Sequence, residues 1–527
     1  MYRRKTPGQI KMEIPFNVEL NPESKWVKMA GMIPWERIEE IYEKNFTSNE
    51  GQIAKPSRLA FAAVYIQISE GLTDEKTREN IQENPHMQYF CGYDSYTPNP
   101  PFDASMMVHF RKRLSSETVI GLTEEIFKGE AAEAEGAPIE LMADDENMPD
   151  GEIAEEAAEV GDTGEKTGTG DTGDDAGGDT GGGGTDREAA ADEEIPAGKG
   201  TLILDATCFP QDIHYPTDIW LLNRARELCE LIIDKLYGVV IEQYQYKPRT
   251  YRYEAKRNFL SYTKARKHTK KSIRKSIRKQ LQYVARDLRI IEDLVAKGAP
   301  LSVLDAQLYK KLLVIGEMYR QQKEMYDNNE NRCDDRIVSI SQPHVRPIVR
   351  GKEHNPTEFG AKVAIGLVGG YAFITDISWD NAAEAGLLPK AAENYREAFG
   401  CYPETIIGDG VYPNRINRVW CKKRGIRLSG PRLGRKNETI RREEAEQIYE
   451  DGCARNAVEG KFGETKRKYR LDLIMTKLPE TSKATIAMGF LAANMERKLR
   501  LLLDKKNKSL FIYYDFELSV LALAGIF

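Results

Sequence analysis

Three carboxylates in this chain have the surroundings that phosphodiester chemistry requires. The segment Ala454-Arg455-Asn456-Ala457-Val458-Glu459-Gly460-Lys461-Phe462-Gly463-Glu464-Thr465-Lys466-Arg467 sets one acid among bases. At about 100° per residue, Arg455, Glu459, Phe462 and Lys466 fall within about 60° of one another, and Glu464 points to the far side. An acid between Arg and Lys suits a site where a carboxylate holds a metal ion and the cations hold phosphate. Two more carboxylates stand where strands are expected to end: Asp205 in Leu202-Ile203-Leu204-Asp205-Ala206-Thr207, and Asp409 in Ile406-Ile407-Gly408-Asp409-Gly410. Together they read as an Asp-Asp-Glu site. Two divalent ions about 3.5–4 Å apart can activate a nucleophile and stabilise a leaving oxygen. Mg2+ (or Mn2+), two ions per site, fits because hard cations take carboxylate and water oxygens. In this reading Asp205, on the central strand, bridges the ions, while Asp409 and Glu459 each hold one. Taken singly, each residue has a plainer reading, as a turn aspartate or a surface salt-bridge glutamate. Their occurrence together and in order carries the site. His214 and His344 are assigned structural roles.

The chain has 527 residues, enough for two to four domains, and a formal net charge of −6. That charge conceals an asymmetry. Between Glu130 and Gly198 there are about 23 acids and 2 bases, so the rest of the chain carries about +15. A basic body suits a polyanionic partner, with an ordinary solvated surface as the alternative. Seven scattered cysteines without a C-x-x-C pair argue against a disulfide framework or structural zinc and for a reducing cytoplasm. The basic start Met1 to Pro7 is followed by no apolar stretch, and no run of eighteen apolar residues occurs, so neither secretion nor a membrane span is expected.

The elements that must position the site follow from periodicity. Residues 1–129 are expected to form an all-helical domain. Trp35, Ile38, Ile41 and Tyr42 take helical spacing, Pro56 opens a second helix, and Thr73 caps a third over Asp74 to Glu83. A basic helix with Arg111, Lys112 and Arg113 follows, readable as a DNA contact or as an ordinary bundle helix. Residues 130–199, rich in Asp, Glu and Gly, are expected to be a disordered linker. Residues 200–505 then read as an α/β catalytic domain with a mixed sheet, interrupted by a helical insertion over 217–335. In that insertion, Lys247 to Arg289 holds about 16 Lys and Arg against 2 acids. Ile273, Ile277, Leu281, Val284 and Leu288 form a stripe, so Lys270, Lys271, Arg274 and Lys275 lie on an amphipathic helix able to meet a DNA backbone, with a solvated face as the alternative. Phe359 to Val368 and Tyr371 to Ile377 flank Gly369-Gly370 as a hairpin. Thr405 to Asp409 is a short buried strand, helices run near Glu443 to Lys468 and Ser482 to Leu503, and 506–527 is read as a tail.

On these segments the chain resembles a bacterial insertion-sequence DDE transposase of the insertion-sequence-four/five-like superfamily, with an RNase H-like core. Leu204-Asp205-Ala206-Thr207 resembles the first-aspartate strand, and Gly408-Asp409-Gly410-Val411-Tyr412 the second. Arg455, Glu459 and Lys466 match the spacing of the Y-R-E-K signature around the family's glutamate, whereas the tyrosine position falls on Gly452. Residues 30–115 are similar to the helical N-terminal domain of the insertion-sequence-five type. The resemblance implies catalytic and metal-ligating roles for Asp205, Asp409 and Glu459, and DNA contacts for Arg455, Lys466 and Arg467. It implies that inverted-repeat ends are cut by water and that the freed 3′ hydroxyl attacks target DNA. It further implies a homodimer on paired ends and a cytoplasmic, nucleoid-associated protein. Two other classes remain open: a DNA-binding protein descended from a transposase with a decayed site, and a nuclease of the same fold that cuts without joining.

Overall fold

The computed structural model describes residues 20–46, 53–134, 198–349, 357–381, 383–431 and 438–523. Residues 135–197, most of the acidic segment expected to be disordered, lie outside the described residues.

The centre is a six-stranded mixed sheet. Its strands are β1 (Thr201–Pro210), β2 (Arg346–Val349), β3 (Thr357–Val368), β4 (Tyr371–Ser378), β5 (Thr405–Gly408) and β6 (Arg427–Leu428). The order runs β2-β3-β1-β5-β6, with β4 also on β3. β1 is antiparallel to β3 and parallel to β5, and β6 is parallel to β5. β3 and β4 form the expected hairpin, with a bulge at Ala364/Ile365. Gly369 and Gly370 have φ of 55° and 81°. The tight hairpin turn needs positive φ at both central residues, which glycine supplies without steric cost.

Among the described residues seven helices precede the sheet: α1 (Lys25–Met32), α2 (Trp35–Glu43), α3 (Ser57–Glu70), α4 (Asp74–Glu83), α5 (Pro85–Phe90), α6 (Met106–Arg113) and α7 (Ser116–Ala134). Thr73 caps α4 by accepting from the Lys76 N–H, as its position implies. These helices share one hydrophobic core with the sheet. The last helix does the joining: α3, α6 and α7 pack on α15 (Pro479–Leu523). Asn494 of α15, fully buried, donates to the Ala372 carbonyl at 2.8 Å and accepts from its N–H at 3.0 Å. Phe127 of α7 stacks on Tyr371 of β4 at 5.3 Å. Two expected boundaries fall inside helices. Residues 130–134, read as linker, continue α7, and Ala131 is buried. Residues 506–523, read as tail, continue α15, because no Gly or Pro stands between Phe490 and Leu523 to end it.

The insertion builds a second core from α8 (Asp218–Val239), α9 (Arg252–Thr263), α10 (Lys270–Ala296) and α11 (Ala306–Asn328). Thr217, Thr269 and Asp305 cap α8, α10 and α11. Leu281 and Val284 of the α10 stripe are buried in that core. The remaining helices, α12 (Leu388–Phe399), α13 (Arg415–Lys422) and α14 (Glu438–Lys468), complete the α/β unit around β5 and β6. Among the described residues no helix is long and apolar enough to cross a membrane.

Candidate active site

Asp205 was expected at the end of its strand. It lies instead in the middle of β1, which runs on to Pro210. The reason is the unequal length of its neighbours. β3 pairs with β1 as far as Pro210, whereas β5 last pairs with it at Leu204↔Gly408. Beyond Leu204 no described strand pairs with that side of β1 until Ile474 meets Pro210 and Gln211, and Asp409 is the first residue beyond β5. Both aspartates thus reach one crevice at the carboxyl end of two parallel strands, where open α/β sheets place their ligands. The Asp409 turn is set by packing: a side chain at Gly408 would meet the Tyr412 ring at 2.7 Å, and the Tyr412 N–H bonds the Asp409 carbonyl at 2.9 Å.

Helix α14 crosses this crevice and touches one strand after another. Arg427 of β6 holds Asp451 through two bonds of 2.7 and 2.8 Å. One turn on, Arg455 donates to Asp409 Oδ1 at 2.7 Å and to Glu459 Oε1 at 3.0 Å. Three further turns on, Lys466 Nζ donates to Thr207 Oγ1 of β1 at 3.1 Å and lies 5.3 Å from the Phe209 ring. Buried Val458 and Phe462 fix the helix beneath. The face read from periodicity is the face that meets the sheet. Asp205, Thr207, Asp409, Arg455, Glu459 and Phe462 line one cleft of about 540 Å³. Glu464 lies elsewhere, paired with buried Lys461 at 2.9 Å.

Asp205 is the most desolvated of the three carboxylates. Burial pushes its carboxyl up to about 6, and Glu384 and Asp409 add to the rise, while the Ala206 N–H and Arg455 oppose it. Burial also raises the Tyr412 hydroxyl, with Glu384, Asp205 and Asp409 pushing the same way. Among the described residues no three His, Cys, Asp or Glu side chains are grouped as a metal site. The guanidinium of Arg455 stands between two of the candidate ligands and serves as their cation. The carboxylates are all oxygen donors, the type that a hard divalent ion takes, and Arg455 occupies the place between two of them.

Two cleft residues escaped the sequence reading. Lys362 of β3 and Glu384 pair at 3.0 Å and both line the cleft. Lys362 left a trace, a lone charge in the apolar run Phe359 to Leu367, whereas Glu384 left none. Other proposed DNA contacts fall away from the cleft. Lys270, Lys271, Arg274 and Lys275 are exposed on α10, and Arg467 and Lys112 are exposed on their own helices. Arg113 is half-buried over the Phe46 ring. Arg111 is corrected: it is buried, bonded to both Asp74 oxygens at 2.8 Å and to Gln67 at 2.7 Å, and has no surface to offer DNA. His214 stacks on Trp220 at 3.9 Å, and His344 meets Trp379 edge-on at 4.4 Å.

Residues 406–496 match the family model of the transposase DDE domain, a span that holds Asp409, Arg455, Glu459 and Lys466 and excludes Asp205. Residues 16–113 match the transposase domain DUF772. A Rhizobium meliloti protein described as uncharacterized protein ORF8 in the nfe locus is 36% identical over 98 residues, 19% of this chain and 47% of that protein. The chain therefore spans about half the length of the curated relative it matches. No solved structure matches. Two stretches of the chain, one over its first helices and one that contains the cleft helix, are thus each similar to a transposase domain.

Proposed function

We propose that this protein binds the inverted-repeat ends of an insertion sequence, cleaves them and joins them to target DNA, with Asp205, Asp409 and Glu459 as the catalytic carboxylates. The observation that carries this reading is the convergence of these three residues, from β1, the end of β5 and α14, on one cleft that also holds Arg455. Leaving out the short β2, the order β4-β3-β1-β5-β6, with β5 and β6 parallel to β1, supports an RNase H-like core.

Asp205, Asp409 and Glu459 would hold Mg2+ or Mn2+, two ions per site. When bound, these ions supply an activated attacking oxygen and a stabilised leaving oxygen. The chain's own residues do the rest. Asp205, whose carboxyl burial pushes up to about 6, would be the least solvated of the three oxygen donors. Lys466, anchored on Thr207, and Lys362 place positive charge along the cleft for phosphate oxygens. The exposed bases of α10 and Arg467 extend that charge toward the flanking duplex. Binding of paired ends by a homodimer, in the cytoplasm and on the nucleoid, belongs to the same reading.

A strand-transfer assay with paired element ends tests it. Cleavage and joining in Mg2+ or Mn2+, lost with chelator, are expected. End binding without cleavage would favour a decayed DNA-binding protein, and cutting without joining would favour a nuclease.

A further inference from the structure

Arg455 does two things that a DNA-gripping residue need not do. It bonds Asp409 at 2.7 Å and Glu459 at 3.0 Å, and thereby ties together candidate ligands from two different elements. Nothing about the fold demands this contact. Helix α14 is already fixed to the sheet by the Arg427–Asp451 pair on one side and by buried Val458 and Phe462 beneath. The Asp409 and Glu459 side chains are each 54% exposed, whereas Arg455 is 28% exposed. Ion pairs with such exposed carboxylates are screened and easily exchanged. A guanidinium spanning two carboxylates occupies the place where a divalent cation would neutralise the same two groups.

We propose that Arg455 is a resident counter-ion of the cleft, which a divalent cation must displace from Asp409 and Glu459 and which a DNA phosphate draws away. The inference rests on the metal-site reading above and extends it to regulation of that site. Arg455 is a positioning residue here. It holds Asp409 and Glu459 in register while the cleft is empty and exchanges them for phosphate when DNA arrives. The guanidinium fork matches a phosphate as well as it matches two carboxylates, so the exchange keeps its hydrogen bonds. Metal and DNA then bind cooperatively. Phosphate removes the cation that competes with the metal, and by linkage the metal frees Arg455 for phosphate by the same factor. The protein without DNA holds metal poorly, which restrains hydrolysis before ends are bound.

The test is Mn2+ binding to the full chain, followed by the paramagnetic signal of free Mn2+, with and without a short DNA duplex. Without DNA, Arg455→Gln is expected to bind Mn2+ about 10-fold more tightly than the unaltered protein. Arg455→Lys, which keeps the charge and loses the fork, is expected to fall between them. Duplex DNA is expected to tighten Mn2+ binding to the unaltered protein and to leave Arg455→Gln nearly unchanged. Equal or weaker Mn2+ affinity in Arg455→Gln overturns the proposal. Asp205→Asn separates the two levels of the argument, since weak sites on the acidic segment are common to every variant. If Asp205→Asn weakens Mn2+ binding and Arg455→Gln does not strengthen it, the counter-ion role fails alone. If Asp205→Asn changes nothing, the metal site itself fails and the counter-ion role with it.

Discussion

The cleft and the helical insertion both concentrate charge, and they do so in opposite ways. In the cleft, cations and carboxylates from different elements are matched: Arg455 with Asp409 and Glu459, and Lys362 with Glu384. On α10, Lys270, Lys271 and Lys275 are exposed and make no ion pair among the described residues, and Arg274 lies over the Tyr326 ring at 4.2 Å. Charges matched between elements set where the carboxylates stand in the cleft, even where solvent screens them and lets them exchange. Charges left in solvent define affinity, because each can neutralise a phosphate and release a counter-ion. The cleft should therefore respond to substitution in rate, and the insertion in binding and its dependence on salt.

The largest effect should come from the cleft. Asp205→Ala, Asp409→Ala and Glu459→Ala are each expected to lower end cleavage by about 1,000-fold or more while leaving end binding intact, since a bound ion contributes several kcal/mol to the transition state. Glu464→Ala should stay active, and wild-type cleavage by any of the first three would remove that residue from the site. Next comes Arg111, which sequence alone grouped with the DNA contacts. Arg111→Ala should cost about 3 kcal/mol of stability in denaturant melts, because it strands Asp74. Lys112→Ala beside it should cost nothing measurable. If Arg111→Ala keeps full stability and loses DNA affinity, the matched-charge account of that helix is wrong.

A third effect is confined to binding. Replacing Lys270, Lys271, Arg274 and Lys275 together with Ala should flatten the slope of log affinity against log salt by up to about 3–4. Single-turnover cleavage at saturating protein should be unchanged. An unaltered slope would mean that the α10 face only solvates the insertion.

The smallest effect separates the core of the insertion from its surface. Burial pushes the fully buried Asp287 carboxyl up to about 7, with Glu230 adding to the rise and Arg286 and Arg226 opposing it. An unfolded aspartate titrates near 3.9. The folded state therefore holds this proton more tightly. Its contribution to stability is complete below about pH 4 and is lost as pH rises through about 7. Asp287→Asn should remove that part of the pH dependence, seen by comparing thermal melts at pH 5 and pH 8. A pH dependence identical to that of the unaltered protein would place the proton elsewhere.

What the sequence revealed was local, and what it hid was long-range. The α14 face was legible because four side chains at helical spacing need no partner to be identified: Arg455, Glu459 and Phe462 line the cleft, and Lys466 reaches Thr207. The Gly369-Gly370 turn and the Thr73 cap were legible for the same reason. Asp205 was misplaced at a strand end because the end of its neighbour β5, not its own, creates the opening. Arg111 was misread because its partner, Asp74, lies 37 residues earlier in the chain. Glu384 was invisible because only the fold brings it to Lys362. The continuation of α15 past residue 505 was hidden by a change of composition that carries no helix stop.

The central claim is that Asp205, Asp409 and Glu459 together hold the metal ions of one cleft. Replacing Mg2+ with Fe2+ and generating hydroxyl radicals at the bound ion cuts the polypeptide wherever backbone lies close to it. Mapping those cuts tests the claim most directly. The account predicts cuts near residues 205, 409 and 459 in the same molecule, suppressed by excess Mg2+ and lost in Asp205→Asn. Cuts that cluster elsewhere, or that persist near all three positions in Asp205→Asn, would contradict it.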